Sequence, residues 1–276
     1  MSATSSLAQI NHIIAIASGK GGVGKSTTAT NIALALQQQG AKVGILDADI
    51  YGPSLGLMFG IAEGSKPKIE EGKYFIPIKA YDVAVMTIAF LASEQTPMAW
   101  RGPMASGALL QLLNQTLWGP LDYLIIDMPP GTGDIQLTLA QKVPLTAAII
   151  VTTPQDLALI DAKKAITLFH KVNVPVLGVI ENMAIHVCSQ CGHIEHLFGE
   201  GGGALLASQY NITLLGSLPL TLTIRQHADS GQPIVKANPD SAEARIYLEI
   251  ADLIAQKINL LTANTPQIPT IEESDE

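Results

Sequence analysis

Glycines, lysines and hydroxyls crowd into nine consecutive residues, Gly19-Lys20-Gly21-Gly22-Val23-Gly24-Lys25-Ser26-Thr27, at the spacing G-x-x-x-x-G-K-[ST] of a phosphate-binding loop. Such a loop binds and helps to cleave a nucleoside triphosphate. Gly21, Gly22 and Gly24 let the backbone approach the phosphates, and the N–H groups at the start of the next helix point at them along the positive end of its dipole. Lys25 is placed to reach the β- and γ-phosphates and the Ser26 hydroxyl to ligate Mg²⁺. Lys20 is an additional lysine at the outer rim, where it can act across a dimer interface on a partner's nucleotide, much as an arginine finger does in trans.

Phosphoryl transfer to water also requires a carboxylate for the metal's water shell and an oriented nucleophile. Asp127 ends the apolar run Tyr123-Leu124-Ile125-Ile126 and so puts a carboxylate at the carboxyl end of a strand. The bland alternative is an ordinary strand-ending acid, but a carboxylate after a buried run must find a compensating partner, and Mg²⁺ would be one. Asp47 and Asp49 close the run Val43 to Leu46. One of them can orient the attacking water, and the other can equally cap the next segment.

A second centre of chemistry lies far along the chain at Cys188-Ser189-Gln190-Cys191. These are the chain's 2 cysteines, and the chance that one falls three residues from the other is about 2 in 275, so the spacing points to a shared task. Two thiolates are half of what a tetrahedral zinc or a [4Fe-4S] cluster needs. A symmetric dimer would complete a four-thiolate site on its two-fold axis. Zinc held within one chain by Cys188, Cys191, His193 and His196, with His186 in reserve, stays open, as does a dimer-bridging structural zinc. A redox pair is disfavoured because the motif follows a late strand and does not open a helix of the first βαβ unit.

The elements that must position these groups are legible as alternating patterns. Strand-like runs occur at Ile13–Ala17, Val43–Leu46, Val83–Ile88, Tyr123–Ile126, Ala147–Val151, Val176–Ile180 and Leu214–Leu218. Helical patterns occur at Lys25–Gln39, with Gly40 as its cap, and at Ala105–Leu117, Ile135–Lys142, Leu157–Val172, Ala204–Tyr210 and Ala242–Leu260. This alternation predicts an α/β fold, a doubly wound and mostly parallel sheet with helices on both faces and ligands at the carboxyl ends of the strands. Gly60 to Tyr81, broken by Pro67, Gly72 and Pro77, reads as a hairpin insertion. The expected organisation is an N-terminal extension over 1–12, one ATPase domain over 13–262, and a disordered acidic tail over 263–276.

The blocks Lys20 to Thr27, Asp47-Ala48-Asp49-Ile50-Tyr51-Gly52-Pro53-Ser54, Trp100-Arg101-Gly102-Pro103-Met104 and Asp127-Met128-Pro129-Pro130-Gly131-Thr132-Gly133-Asp134 carry a family resemblance. The first resembles the deviant Walker A loop of MinD, ParA and the nitrogenase iron protein. Together with the cysteine pair, all of them resemble the Mrp/ApbC group of iron-sulfur cluster carrier ATPases, over about Ile13 to Ile258. The resemblance implies that Lys20 contacts the nucleotide of the facing subunit, that Asp49 positions the attacking water in switch I, and that Asp127 is the Walker B residue. It implies that Asp134 lies in switch II and that Asn182 and the loop around Pro219 lie near adenine. Many members carry a small domain before the loop, whereas here about a dozen residues precede the first strand.

The expected function is ATP-driven carriage of an iron-sulfur cluster, held as [4Fe-4S] between two subunits and passed from scaffold to apoprotein recipients. A positioning ATPase of the MinD/ParA type with a structural zinc clasp is the alternative. Its membrane-binding form should end in a basic amphipathic helix, whereas this chain ends Ile271-Glu272-Glu273-Ser274-Asp275-Glu276. An electron-donating reductase would need two well-separated cluster cysteines per subunit. A formal charge of -8 argues against general binding to nucleic acid. With neither a spanning apolar run nor a signal-peptide pattern, a cytoplasmic protein without a membrane partner is expected. The 47% hydrophobic content suffices for a large core.

Overall fold

The computed structural model describes residues 6–91, 102–188 and 190–263. Trp100 and Arg101, Ser189 and the acidic tail from 264 onward lie outside the described residues. In chain order the strands are β1 (Ile10–Ala17), β2 (Val43–Asp47), β3 (Lys68–Glu70), β4 (Tyr74–Ile76), β5 (Ile78–Ala80), β6 (Val83–Thr87), β7 (Leu121–Asp127), β8 (Ala147–Thr152), β9 (Val176–Glu181), β10 (His186–Val187), β11 (Ile194–Glu195) and β12 (Thr213–Ser217). The helices are α1 (Lys25–Gln38), α2 (Leu55–Met58), α3 (Gly102–Gln115), α4 (Asp134–Lys142), α5 (Asp156–Lys171), α6 (Gly202–Tyr210), α7 (Leu222–Asp229), α8 (Ile234–Ala237) and α9 (Ala242–Ala263).

Eight strands form one sheet in the order β12-β9-β8-β1-β7-β2-β6-β5. Every pairing is parallel except that of the edge strand β5 with β6. The strands β2, β6 and β8, each paired on both sides, are buried along their whole length, which is why their sequences read as largely apolar runs. Parallel neighbours cannot be joined by a tight turn, so the crossover helices cover the sheet. Among them α1 buries Ala29, Ile32, Ala33 and Leu36 and packs against α9. Gly40, at φ +94°, follows the last turn of α1, and the Gln39 N–H closes that turn onto the Ala35 carbonyl.

β2, β7, β8 and β9 run one residue further toward the site than the apolar runs predicted, whereas β6 and β12 stop one residue short. β2, β7 and β9 each end in a buried acid, Asp47, Asp127 and Glu181. The expected hairpin is β3 paired antiparallel with β4, and β5 then returns to widen the sheet. α2, α7 and α8 were not foreseen. α7 carried a readable signal, because the Thr221 side chain accepts from the Ile224 N–H as an N-cap. No helix among the described residues is long and apolar enough to cross a membrane.

Candidate nucleotide site and cysteine hairpin

β1, the glycine-rich loop and α1 follow one another in the predicted order, with β1 central in the sheet, so the loop opens at the carboxyl ends of the strands. Gly22 and Gly24 both have φ +83°, a left-handed geometry that only glycine adopts without strain. A Cβ on Gly24 would also run into Asn182 Nδ2. A Cβ on Gly19 would run into the backbone carbonyl of Asp161 in α5. Gly19 therefore admits a neighbouring helix rather than a phosphate. Gly19→Ala is expected to cost about 1–3 kcal/mol in chemical denaturation, and an unchanged midpoint would refute that packing argument.

A cleft of about 210 Å³ is lined by Ser18, Lys20, Gly21, Gly22, Gly24, Lys25, Ser26, Thr27, Asp49, Ser54, Met58 and Pro130. Within it Lys25 Nζ lies 2.6 Å from Asp127 Oδ1 and 3.4 Å from Ser26 Oγ. The lysine is 6% exposed and the carboxylate 0%, so this is a buried ion pair. Asp127 Oδ2 is buried with no hydrogen-bond partner among the described residues, an acceptor left open where a metal-bound water could donate. Lys25, Ser26 and Asp127 thus fit a Mg²⁺–nucleotide site on geometry and donor type.

Asp47 and Asp49 separate cleanly. Asp47 faces Asp127 across the β2–β7 register and is fully buried. Its Oδ2 accepts from the Ser54 and Leu55 N–H groups at 2.9 and 3.1 Å, and its Oδ1 from the Asp49 N–H at 3.1 Å. Asp47 is the capping residue, holding the loop that carries Asp49 to the start of α2. Asp49 is half-buried, lines the cleft, and accepts from the Gly52 N–H at 3.3 Å.

Burial, reinforced by the Asp127 carboxylate, pushes Asp47 up to about 7, against the Leu55 and Asp49 amides and Lys25. Burial raises Asp127 as well, with Lys25 the chief opposing influence. A carboxyl raised in the folded state binds its proton more tightly there. Its contribution to stability is therefore present below the unfolded pKa of about 4 and lost as pH climbs to the folded value. Asp47→Asn is expected to gain thermal stability relative to the wild type as pH rises from about 4 to about 7. A constant difference in melting temperature across that window would refute the assignment.

Asn182 donates from Nδ2 to the Val23 carbonyl at 2.8 Å, bracing the phosphate loop from outside. The Leu218 N–H donates to Glu181 and the Ala184 N–H to Leu218, so the Asn182 loop and the buried Pro219 lie side by side beyond β9 and β12. The Glu181 carboxylate accepts from the Gly203 N–H in the first turn of α6. The loop after β7 is tied to β1 by the Met128 N–H donating to the Ile16 carbonyl and to the residue after β1 by the Gly131 N–H donating to the Ser18 carbonyl, both 3.0 Å, and exposed Asp134 opens α4. Two residues on, Gln136 is buried with neither amide atom hydrogen-bonded among the described residues, a feature with no sequence signal.

The cysteines lie on the hairpin of β10 and β11, Cys188 half-buried and Cys191 exposed. Cys188 and the Gly192 turn close with Cys188 N–H to His193 and Gly192 N–H to Cys188, both 2.9 Å. The backbone amides of Gln190 and Cys191, with the Cys191 side chain beside them, hold the Cys188 thiol below the usual range. The histidines point to other partners. His186 Nδ1 is 3.1 Å from the Leu220 carbonyl oxygen, His193 lies 4.0 Å from Glu195, and His196 lies 3.8 Å from Glu200. Among the described residues no group of three or more His, Cys, Asp or Glu is gathered to hold a metal, so the single-chain zinc set is not assembled.

Comparison with known proteins adds a family. The model of ParA-type P-loop NTPases, described as NUBPL iron-transfer P-loop NTPase, matches residues 9–255. An iron-sulfur cluster carrier protein of Pseudomonas fragi is 66% identical over 245 residues, covering 89% of this chain and 85% of its own. The iron-sulfur cluster transfer protein NUBPL of Mus musculus is 46% identical over 251 residues, covering 90% and 78%. Among solved structures, a nucleotide-binding protein of Archaeoglobus fulgidus in complex with ADP superimposes with a TM-score of 0.73 at 39% identity, covering 82% of this chain and 89% of that one. The septum site-determining protein MinD of Pyrococcus horikoshii, with Mg-ADP, gives a TM-score of 0.69 at 24% identity, covering 91% and 98% and establishing likeness of fold.

Proposed function

Because this chain belongs to the ParA/NUBPL family of iron-transfer P-loop NTPases, we propose that it is a cytoplasmic, dimeric ATPase that carries an iron-sulfur cluster from a scaffold to apoproteins. The observation that carries this reading is the presence on one chain of a phosphate cleft lined by both Lys20 and Lys25 and an exposed two-cysteine turn. ATP enters the cleft with its phosphates on the loop amides. The β- and γ-phosphates draw Lys25 off Asp127, leaving the Asp127 carboxylate and the Ser26 hydroxyl as the groups that would hold Mg²⁺. Bound Mg²⁺ supplies charge neutralisation at the transferring phosphoryl group. Asp49 orients the attacking water, and Lys20 of each subunit reaches the nucleotide of the other.

Two exposed hairpins facing one another across a two-fold axis offer four thiolates to the cargo. Nucleotide state biases the dimer between closed and open forms and so changes access to it. The relatives named as cluster carrier and cluster transfer proteins support the cargo assignment. The test is iron and acid-labile sulfide per dimer after anaerobic reconstitution, with Cys188→Ala in parallel. About four of each, lost in the variant, is the expected result for a bridging [4Fe-4S] cluster. Zinc alone, unmoved by reconstitution, would sink the carrier reading and leave an ATPase with a structural clasp.

A further inference from the structure

We infer that the two cysteines have different tasks: Cys188 anchors the cargo cluster, and Cys191 is the ligand exchanged for a recipient's thiolate. This rests on the carrier reading above and deepens it. Cys188 follows β10 directly, and both its main-chain groups are engaged, its N–H with His193 and its carbonyl with Gly192, each at 2.9 Å. β10 is in turn fastened to the body of the fold. His186 forms a bridge to Leu220, its Nδ1 lies 3.1 Å from the Leu220 carbonyl oxygen, and the Leu220 N–H returns 2.7 Å to Ile185. Cys188 therefore stands at the root of the hairpin, one residue beyond a strand that is tied to the loop after β12.

Cys191 stands at the tip. It is exposed where Cys188 is half-buried, and Gly192 at φ +71° turns the chain away directly behind it. Fixing the backbone on both sides of a ligating sulfur fixes its direction, and such supporting contacts govern how firmly a ligand is retained. Val187, Ile194 and Leu197 lie exposed beside the turn, giving an approaching protein apolar surface to cover around the tip.

In the exchange, a recipient's thiolate bonds to the iron held by Cys191 and the Cys191–iron bond breaks. The departing thiolate takes up, through solvent, the proton that the recipient's thiol gave up. No oxidation state changes, so no external reductant or oxidant enters the step.

The experiment compares the full-length wild type, Cys188→Ser and Cys191→Ser after anaerobic reconstitution with ferrous iron and sulfide. It reads iron and sulfide per dimer and then the rate of iron loss to bathophenanthroline disulfonate, which involves neither ATP turnover nor a recipient. Cys188→Ser is expected to hold less than about a tenth of the wild-type iron, whereas Cys191→Ser keeps more than about half and releases it about tenfold faster. Equal loading defects, a larger defect in Cys191→Ser, or an unchanged release rate in Cys191→Ser would each overturn the assignment. ATP binding, measured alongside, reports folding. Should Cys188→Ser lose it, the iron retention and release rate of Cys191→Ser decide alone. A wild type that takes up no cluster defeats the carrier reading together with this one, whereas a loaded wild type with equivalent serine variants defeats this one only.

Discussion

Lys25→Met is expected to lower ATP turnover by about two to three orders of magnitude, the cost of removing one preorganised charge from a phosphoryl-transfer site. The same substitution should destabilise the nucleotide-free protein, because Lys25 is the only ion partner of a fully buried Asp127 among the described residues. Breaking a buried pair by deleting one member costs about 3–5 kcal/mol when the remaining charge stays ionised. Asp127 has a way out, since its pKa is already raised by burial and rises further without Lys25. The loss should therefore be largest at alkaline pH and shrink as acid protonates the carboxyl. Lys25→Met combined with Asp127→Asn removes both charges and should recover much of the stability while turnover stays low. Phosphate release and chemical denaturation separate the two effects. Turnover within tenfold of wild type in the single variant would remove Lys25 from the chemistry, whatever its effect on folding.

That double role shows how far the sequence could be read. The loop, its lysines and Asp127 were legible because local spacing carries their meaning, and strand and helix bracket the motif within a few residues. Spacing alone left the choice between Asp47 and Asp49 open, and only the family resemblance favoured Asp49. That choice depends on the chain doubling back so that the Ser54 and Leu55 amides meet Asp47, a contact set by the start of α2 rather than by the strand. Gly19 and Gly24 look alike in the motif, yet one is required by α5 and the other by a left-handed turn beside Asn182. Asn182 was expected near adenine. Its brace on Val23 spans 159 residues of chain, and no local pattern encodes such a partner. The buried acids ending β2, β7 and β9 explain the short strand predictions. A hydrophobic run stops where polarity starts, but these polar residues stay inside because backbone N–H groups hold Asp47 and Glu181 and the Lys25 ammonium holds Asp127 through one oxygen.

Lys20 supports the other large prediction, and here cis and trans action give different arithmetic. Its backbone is fixed by Ser18 Oγ donating to the Lys20 carbonyl at 2.9 Å, its side chain lies half-buried at the cleft, and it forms no ion pair with any other described residue. The charge is therefore available to a phosphate presented from outside. Lys20→Ala should leave ATP binding close to wild type and reduce turnover about a thousandfold, as loss of a finger residue does. Mixing Lys20→Ala protein with Lys25→Met protein then decides between the mechanisms. If Lys20 serves the opposite subunit, a mixed dimer has one site with an intact Lys25 from its own chain and an intact Lys20 from the partner. With random exchange half the dimers are mixed, so an equimolar blend of two inactive proteins should recover about a quarter of the wild-type rate. If Lys20 serves its own subunit, every site in the blend lacks one lysine or the other and no activity returns. That result would confine Lys20 to its own nucleotide and remove the reason for ATP binding to draw two subunits, and with them two cysteine hairpins, together.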